Sequence, residues 1–137
     1  MKVLYADGDR FGRVVVHIQL EGMPRGTVTP KSQPPIKLTG ASTNNEAEWE
    51  GFLYALELVD SYVQVEIRLD SLNVVNWMEG SYRTRDQRMR EYKRRAQRMI
   101  VDRGLNVCLK WVRREQNKAG HRLEDLPFPE WVEPVDD

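Results

Sequence analysis

The sequence has little of what would stabilise a chain from outside its own core. A single cysteine, Cys108, rules out any disulfide framework within the chain. It lies in the apolar run Leu105-Asn106-Val107-Cys108-Leu109 and reads as a reduced thiol of the core rather than a nucleophile. No apolar run approaches the roughly 20 residues that a bilayer-spanning helix needs. Met1-Lys2 leads directly into the expected first strand, so no signal peptide is expected ahead of it. Internal repeats and low-complexity segments are also missing. These absences argue against a disulfide scaffold, a membrane protein and a repeat array, and they lead to the expectation of a cytoplasmic protein. The 137 residues suffice for one domain that buries about two-thirds of its surface. That domain is expected over residues 1–125, followed by an acidic, Pro-containing tail over 126–137.

The formal net charge is zero, but the charge is divided along the chain. Between Arg83 and Arg122, fourteen Lys/Arg face four acids, a net +10, and the remainder carries −10. A basic segment beside a group of carboxylates suits a polyanionic partner. A solvated helix face accounts for the same charges, since Arg and Lys are good helix formers.

Periodicity gives the element order. Residues 2–6 read as a short buried strand, 13–20 as a strand rich in β-branched residues, and 36–39 as an edge strand. His17, inside the second of these, reads as a structural histidine. The Gly- and Pro-rich stretch 22–35 reads as a loop or hairpin tip. A helix follows Thr43-Asn44-Asn45, with Trp49, Phe52, Leu53, Leu56 and Val59 at helical spacing. A strand over 63–69 and a short helix over 71–78 come next. A long basic helix over 86–103 places Met89, Tyr92, Ala96, Met99 and Ile100 on its inner face. A strand over 105–112 and a last helix over 116–125 complete the chain. Three strands in sequence imply an antiparallel meander, and later strands separated by helices imply parallel crossovers. The expected fold is α/β, a mixed five-stranded sheet with helices on its faces.

Three acids stand where packing alone would not place them. Asp7 and Asp70 end the apolar runs Val3-Leu4-Tyr5 and Val63 to Leu69, and Glu48 falls near the start of the first helix. A half-desolvated carboxylate is costly unless a positive charge, often a metal ion, sits beside it. If the three converge, they form a divalent-metal site of hard oxygen donors, the kind Mg²⁺ prefers.

The segments around these acids resemble type 1 ribonuclease H over most of the chain. Tyr-Ala-Asp-Gly at 5–8, Thr-Asn-Asn-Glu-Ala-Glu at 43–48 and Leu-Asp-Ser at 69–71 are similar to three of its motifs. Trp-Val-Arg-Arg-Glu-Gln-Asn-Lys-Ala-Gly-His-Arg-Leu at 111–123 is similar to a fourth. The resemblance implies a ribonuclease H-like fold and hydrolysis of the RNA strand of RNA–DNA hybrids, leaving 5′-phosphate and 3′-hydroxyl ends. It implies two Mg²⁺ ions, with Mn²⁺ as a substitute, held by Asp7, Glu48 and Asp70; Glu48 is preferred to Glu46.

At the fourth acidic position of the family this sequence has His121. As an imidazole there would ligate a divalent ion or relay a proton, an Asp-Glu-Asp-His set is expected. The resemblance further assigns Asn44 and Asn45 to the minor groove of a hybrid; Thr43, beside a helix N-terminus, reads as a phosphate contact, and Gly8 and Ser71 are expected among the substrate-binding residues. Arg83, Arg85, Arg88, Arg94 and Arg95 would follow the phosphates without reading sequence. Tyr82 or Trp77 could stack on a sugar, although Trp77 has core spacing. The short 80–90 segment leaves no room for a large basic protrusion. The expected partner is a hybrid duplex, with no membrane and no obligatory protein partner. A nuclease of the same fold for another nucleic acid, and a catalytically silent binding module, stay open.

Overall fold

Residue Lys2 begins a strand, β1 (Lys2–Gly8), that forms the centre of a five-stranded sheet. The structure, a computed structural model, describes residues 2–22, 36–41 and 43–127. Most of the loop expected over 22–35 and most of the tail expected over 126–137 lie outside the described residues.

The other strands are β2 (Arg13–Leu20), β3 (Ile36–Leu38), β4 (Gln64–Leu69) and β5 (Asn106–Trp111). The helices are α1 (Asn44–Glu57), α2 (Leu72–Glu79), α3 (Gln87–Asp102) and α4 (Lys118–Asp125), with a short 3₁₀ turn at Arg114–Gln116. The sheet order is β3-β2-β1-β4-β5. β1 pairs antiparallel with β2, as does β2 with β3, whereas β4 runs parallel to both β1 and β5. The expected meander followed by parallel crossovers is the observed topology.

Several boundaries differ from expectation, and two of the differences bear on the site. β1 continues past Ala6 through Asp7 and Gly8, because its antiparallel ladder with β2 runs on to the Gly8–Val14 pair. The last helix starts two residues later than expected. The buried Asn117 accepts hydrogen bonds from the Ala119 and Gly120 amides at 3.1 and 3.4 Å and so fixes the first turn of α4.

Alternation along β1 and β4 builds a core on each face of the sheet. On one face Leu4, Ala6, Val65, Ile67 and Leu69 meet Trp49, Phe52, Leu53 and Leu56 of α1, Val74 and Val75 of α2, and Met89 and Ala96 of α3. On the other, Val3, Tyr5 and Val15 meet Ala119 and Leu123 of α4. Fully burying one such Leu or Phe contributes about 1.5–3 kcal/mol. Trp77 is half-buried, its ring stacked parallel on Trp49 at 6.0 Å, so its core spacing reflects packing. His17 packs edge-on against Tyr5 at 6.1 Å, a structural role.

Cys108 corrects the expectation of a core thiol. It is exposed, because the alternation of β5 turns Val107 and Leu109 inward and Cys108 outward on a strand at the sheet edge.

Candidate metal centre

Parallel pairing brings two of the acids together. β1 and β4 are adjacent and parallel, paired as far as Tyr5 and Arg68, so Asp7 and Asp70 emerge at the same end of neighbouring strands. The carboxyl ends of parallel strands in such sheets are where ligands bind. Glu48 arrives from α1, whose N-terminus is fixed by Thr43: its hydroxyl accepts from the Glu46 amide at 3.2 Å. One carboxylate oxygen from each of Asp7, Glu48 and Asp70 lies within 4.8 Å of the others. Among the described residues, no other three ligating side chains gather in this way.

The helices approach Asp7 closely because glycines let them. A Cβ on Gly8 would stand 2.2 Å from the Ala47 carbonyl oxygen of α1, an impossible contact. A Cβ on Gly120 of α4 would stand 2.9 Å from Asp7 Oδ2. The Asp7 carboxylate is thus held between helices from both faces of the sheet. It accepts from the Gly8 amide at 2.9 Å.

The electrostatics are those of a site short of positive charge. Burial, reinforced by the Asp70 charge, pushes Asp7 up to about 7. Burial and the charges of Asp7 and Asp70 push Glu48 up to about 9. Asp70 is also raised by burial, against the opposing pull of Asn117 and Arg114. Asp70 Oδ1 is a buried oxygen with no hydrogen-bond donor. Three hard donors, mutual repulsion and an orphaned oxygen together fit a divalent cation, which would lower all three pKa values.

The hollow around the acids, about 470 Å³, is also lined by Gly8, Asp9, Arg10, Phe11, Asn44, Arg114, Gly120, Leu123 and Glu124. Gly8 and Asn44 thus line the same hollow as the acids. Thr43 and Ser71 spend their hydroxyls on capping α1 and α2, the latter accepting from the Val74 amide at 3.2 Å. Asn45 is exposed and accepts from Asn73 at 3.4 Å.

The basic helix is less free than its composition implies. Arg88 reaches Glu46 at 3.4 Å, Arg94 reaches Glu91 at 3.2 Å, and Arg95 reaches Glu50 at 3.8 Å. Glu46, the acid to which Glu48 is preferred as a ligand, is buried in this layer between α1 and α3. Arg83 and Arg85, ahead of α3, are exposed.

The expected fourth ligand, His121, is not with the three acids. It is exposed and lines a separate hollow of about 520 Å³ with Tyr5, Arg68, Lys110 and Trp111. The reason is helical phase. Ala119 and Leu123 are buried against the sheet, which turns Gly120 toward Asp7 and His121 about 100° further round. Sequence reasoning also missed two contributors. Asn117 caps α4 and donates to the Ala6 carbonyl at 3.0 Å; an asparagine just ahead of a helix was a legible signal. Arg114, whose charge lowers the pKa values of all three acids, stands inside the motif at 111–123 but was given no role, since as a cation it is one of fourteen in its segment.

A mixed sheet in this order, with carboxylates at the ends of its central parallel strands, defines a ribonuclease H-like fold. A sequence profile described as reverse transcriptase-like matches residues 22–124. The structure is similar to that of LC11-RNase H1, isolated from compost by a metagenomic approach and solved in complex with an RNA/DNA hybrid. Identity to that complex is 27%, the TM-score is 0.72, and the match covers 90% of this chain and 93% of that one. RNase H1 from the halophilic archaeon Halobacterium salinarum NRC-1 matches at 24% identity and TM-score 0.67, over 89% of this chain and 92% of that one. The N-terminal RNase H domain of rv2228c from Mycobacterium tuberculosis matches at 21% and 0.69, over 89% and 88%. The last two speak for the fold alone. The chain belongs to the reverse transcriptase-like family and is a type 1 ribonuclease H.

Proposed function

We propose that the protein hydrolyses the RNA strand of RNA–DNA hybrids with two divalent metal ions, leaving 5′-phosphate and 3′-hydroxyl ends. The observation that carries this reading is the approach of three acid oxygens to within 4.8 Å of one another at the ends of β1 and β4. Asp7, Glu48 and Asp70 would hold the ions, Mg²⁺ by preference and Mn²⁺ as a substitute. When bound, such ions supply a hydroxide at neutral pH and stabilise charge on the leaving oxygen.

The chain's own residues do the rest. Asp7, near the end of β1 and held between the two helices, would supply one of the ligands. Asp70 presents its unpartnered Oδ1, and Glu48 closes the group from α1. Arg114 brings a guanidinium to the rim, next to the acids and within reach of a phosphate. Asn44 and Asn45, at the start of α1, offer amides to the minor groove, where the 2′-hydroxyl distinguishes RNA from DNA. Gly8, having no side chain, lets α1 close against the strand beside the acids. Arg83 and Arg85 follow the backbone.

Incubation of end-labelled hybrid, duplex DNA and duplex RNA, each with Mg²⁺, Mn²⁺ or EDTA, tests the proposal. Metal-dependent cutting confined to the RNA of the hybrid is expected. Binding without cutting would identify a silent module, and preferential cutting of another duplex would overturn the substrate assignment.

A further inference from the structure

The hollow holds more acid than the three carboxylates account for. Five carboxylates line it: Asp7, Asp9, Glu48, Asp70 and Glu124. Asp9 is committed to the turn after β1. It accepts from the Phe11 and Arg13 amides at 3.0 and 3.1 Å and pairs with Arg13 Nε at 2.8 Å. Glu124 carries no such duty. It ends a turn of α4 that begins at Gly120, the residue lying against Asp7, so the two share one side of the helix. Its ion pair, to Arg114 Nε, is long at 4.0 Å and open to solvent, a contact that costs little to break.

We propose that Glu124 is a fourth acid of the metal centre, binding a metal ion directly or through a coordinated water, in the place the sequence assigned to His121. The inference rests on the ribonuclease H reading of this site. Charge balance supports it. Two divalent ions and one phosphodiester, with Asp7, Asp9, Glu48, Asp70, Arg10 and Arg114 of the lining, leave a single positive charge in the hollow, which one further carboxylate cancels. Geometry supports it as well. Gly120 admits the helix close to Asp7, and Glu124, one turn on and about 5.4 Å along the axis, lines the same hollow. The buried contacts of Ala119 and Leu123 fix that phase, and rotating His121 into the hollow would withdraw both from the sheet. On metal binding Glu124 exchanges Arg114 for the ion, which leaves the guanidinium to the substrate phosphate.

The test titrates Mn²⁺ alone into the full chain by calorimetry and, separately, measures the Mg²⁺ dependence of hybrid cleavage. It compares the unmodified protein with Glu124→Gln, Glu124→Asp and His121→Ala. Glu124→Gln is expected to weaken the lower-affinity Mn²⁺ site and to raise the Mg²⁺ needed for half-maximal cleavage, each about tenfold or more. Glu124→Asp should recover part of both, and His121→Ala should match the unmodified protein. Thermal unfolding in EDTA should be alike for all four, since neither side chain is buried. Unchanged Mn²⁺ binding in Glu124→Gln, or the loss appearing in His121→Ala instead, would overturn the inference. Failure of the unmodified protein to cut hybrid in any metal would instead overturn the function proposed above, and the Mn²⁺ titration would still report on Glu124.

Discussion

Gly120 stands against Asp7 so closely that a single added carbon would lie 2.9 Å from the carboxylate oxygen Oδ2. A helix on one face of the sheet and a strand-end acid thereby share a boundary with no slack. The approach sets both the orientation of Asp7 and the phase of α4.

Gly120→Ala therefore separates stability from activity. Alanine is favoured over glycine in a helix by up to about 1 kcal/mol, which offsets part of the crowding. The Asp7 carboxylate must turn away, so cleavage should fall about tenfold or more while the melting temperature moves only a few degrees. Retained activity would show that the carboxylate has room to give.

The metal-free protein should lose stability as the pH rises. Asp7 and Glu48 have folded pKa values of about 7 and about 9, above the ordinary carboxylate range of an unfolded chain. Between those limits the folded state binds more protons than the unfolded state. Stability is then fully present at acid pH and declines as the pH passes through 7 and 9. Thermal unfolding in EDTA at pH 6, 7.5 and 9 should show a falling midpoint, and saturating Mg²⁺ or Mn²⁺ should restore it at pH 9. Glu48→Gln should flatten the slope. A midpoint independent of pH would mean that the acids are not crowded.

Asp70→Asn removes a donor without changing shape. Cleavage should drop by about a hundredfold or more, whereas hybrid binding measured by fluorescence anisotropy should persist. Joint loss of binding and folding would make the acid structural.

Asn117→Ala tests the joint between β1 and α4. The side chain is fully buried, caps α4 and donates to the Ala6 carbonyl. Loss of the cap costs about 1 kcal/mol, and the stranded carbonyl adds about 1–3 kcal/mol. Urea denaturation should show a deficit of that combined size.

The cations should differ in their worth to a duplex. Arg94 is paired with Glu91, whereas Arg83 and Arg85 are exposed ahead of α3. Arg83→Ala should weaken hybrid binding uniformly across sequences and reduce the salt slope by about one. Arg94→Ala should change both less, and the opposite ranking would place the duplex elsewhere.

Much of the architecture is legible in the sequence. The expected span of β2 is the observed one and the element order agrees throughout, because β-branched runs and helical spacing are local signals that burial reinforces. Cys108 misleads for a related reason. An apolar run does not reveal that its strand lies at a sheet edge with one face open to solvent. The arginines of α3 look free in the sequence because two of their partners, Glu46 and Glu50, come from α1, some forty residues earlier in the chain.

The sequence by itself singled out Asp7 and Asp70, since a carboxylate that ends an apolar strand is anomalous on its pattern alone, and offered Glu48 through the motif at 43–48. Only the tertiary structure decided what stands beside them. Which side of α4 faces Asp7 depends on how Asn117 caps the helix and on which residues its packing buries. One step along a helix turns a side chain by about 100°. His121 and Glu124 are three residues apart in sequence and line different hollows.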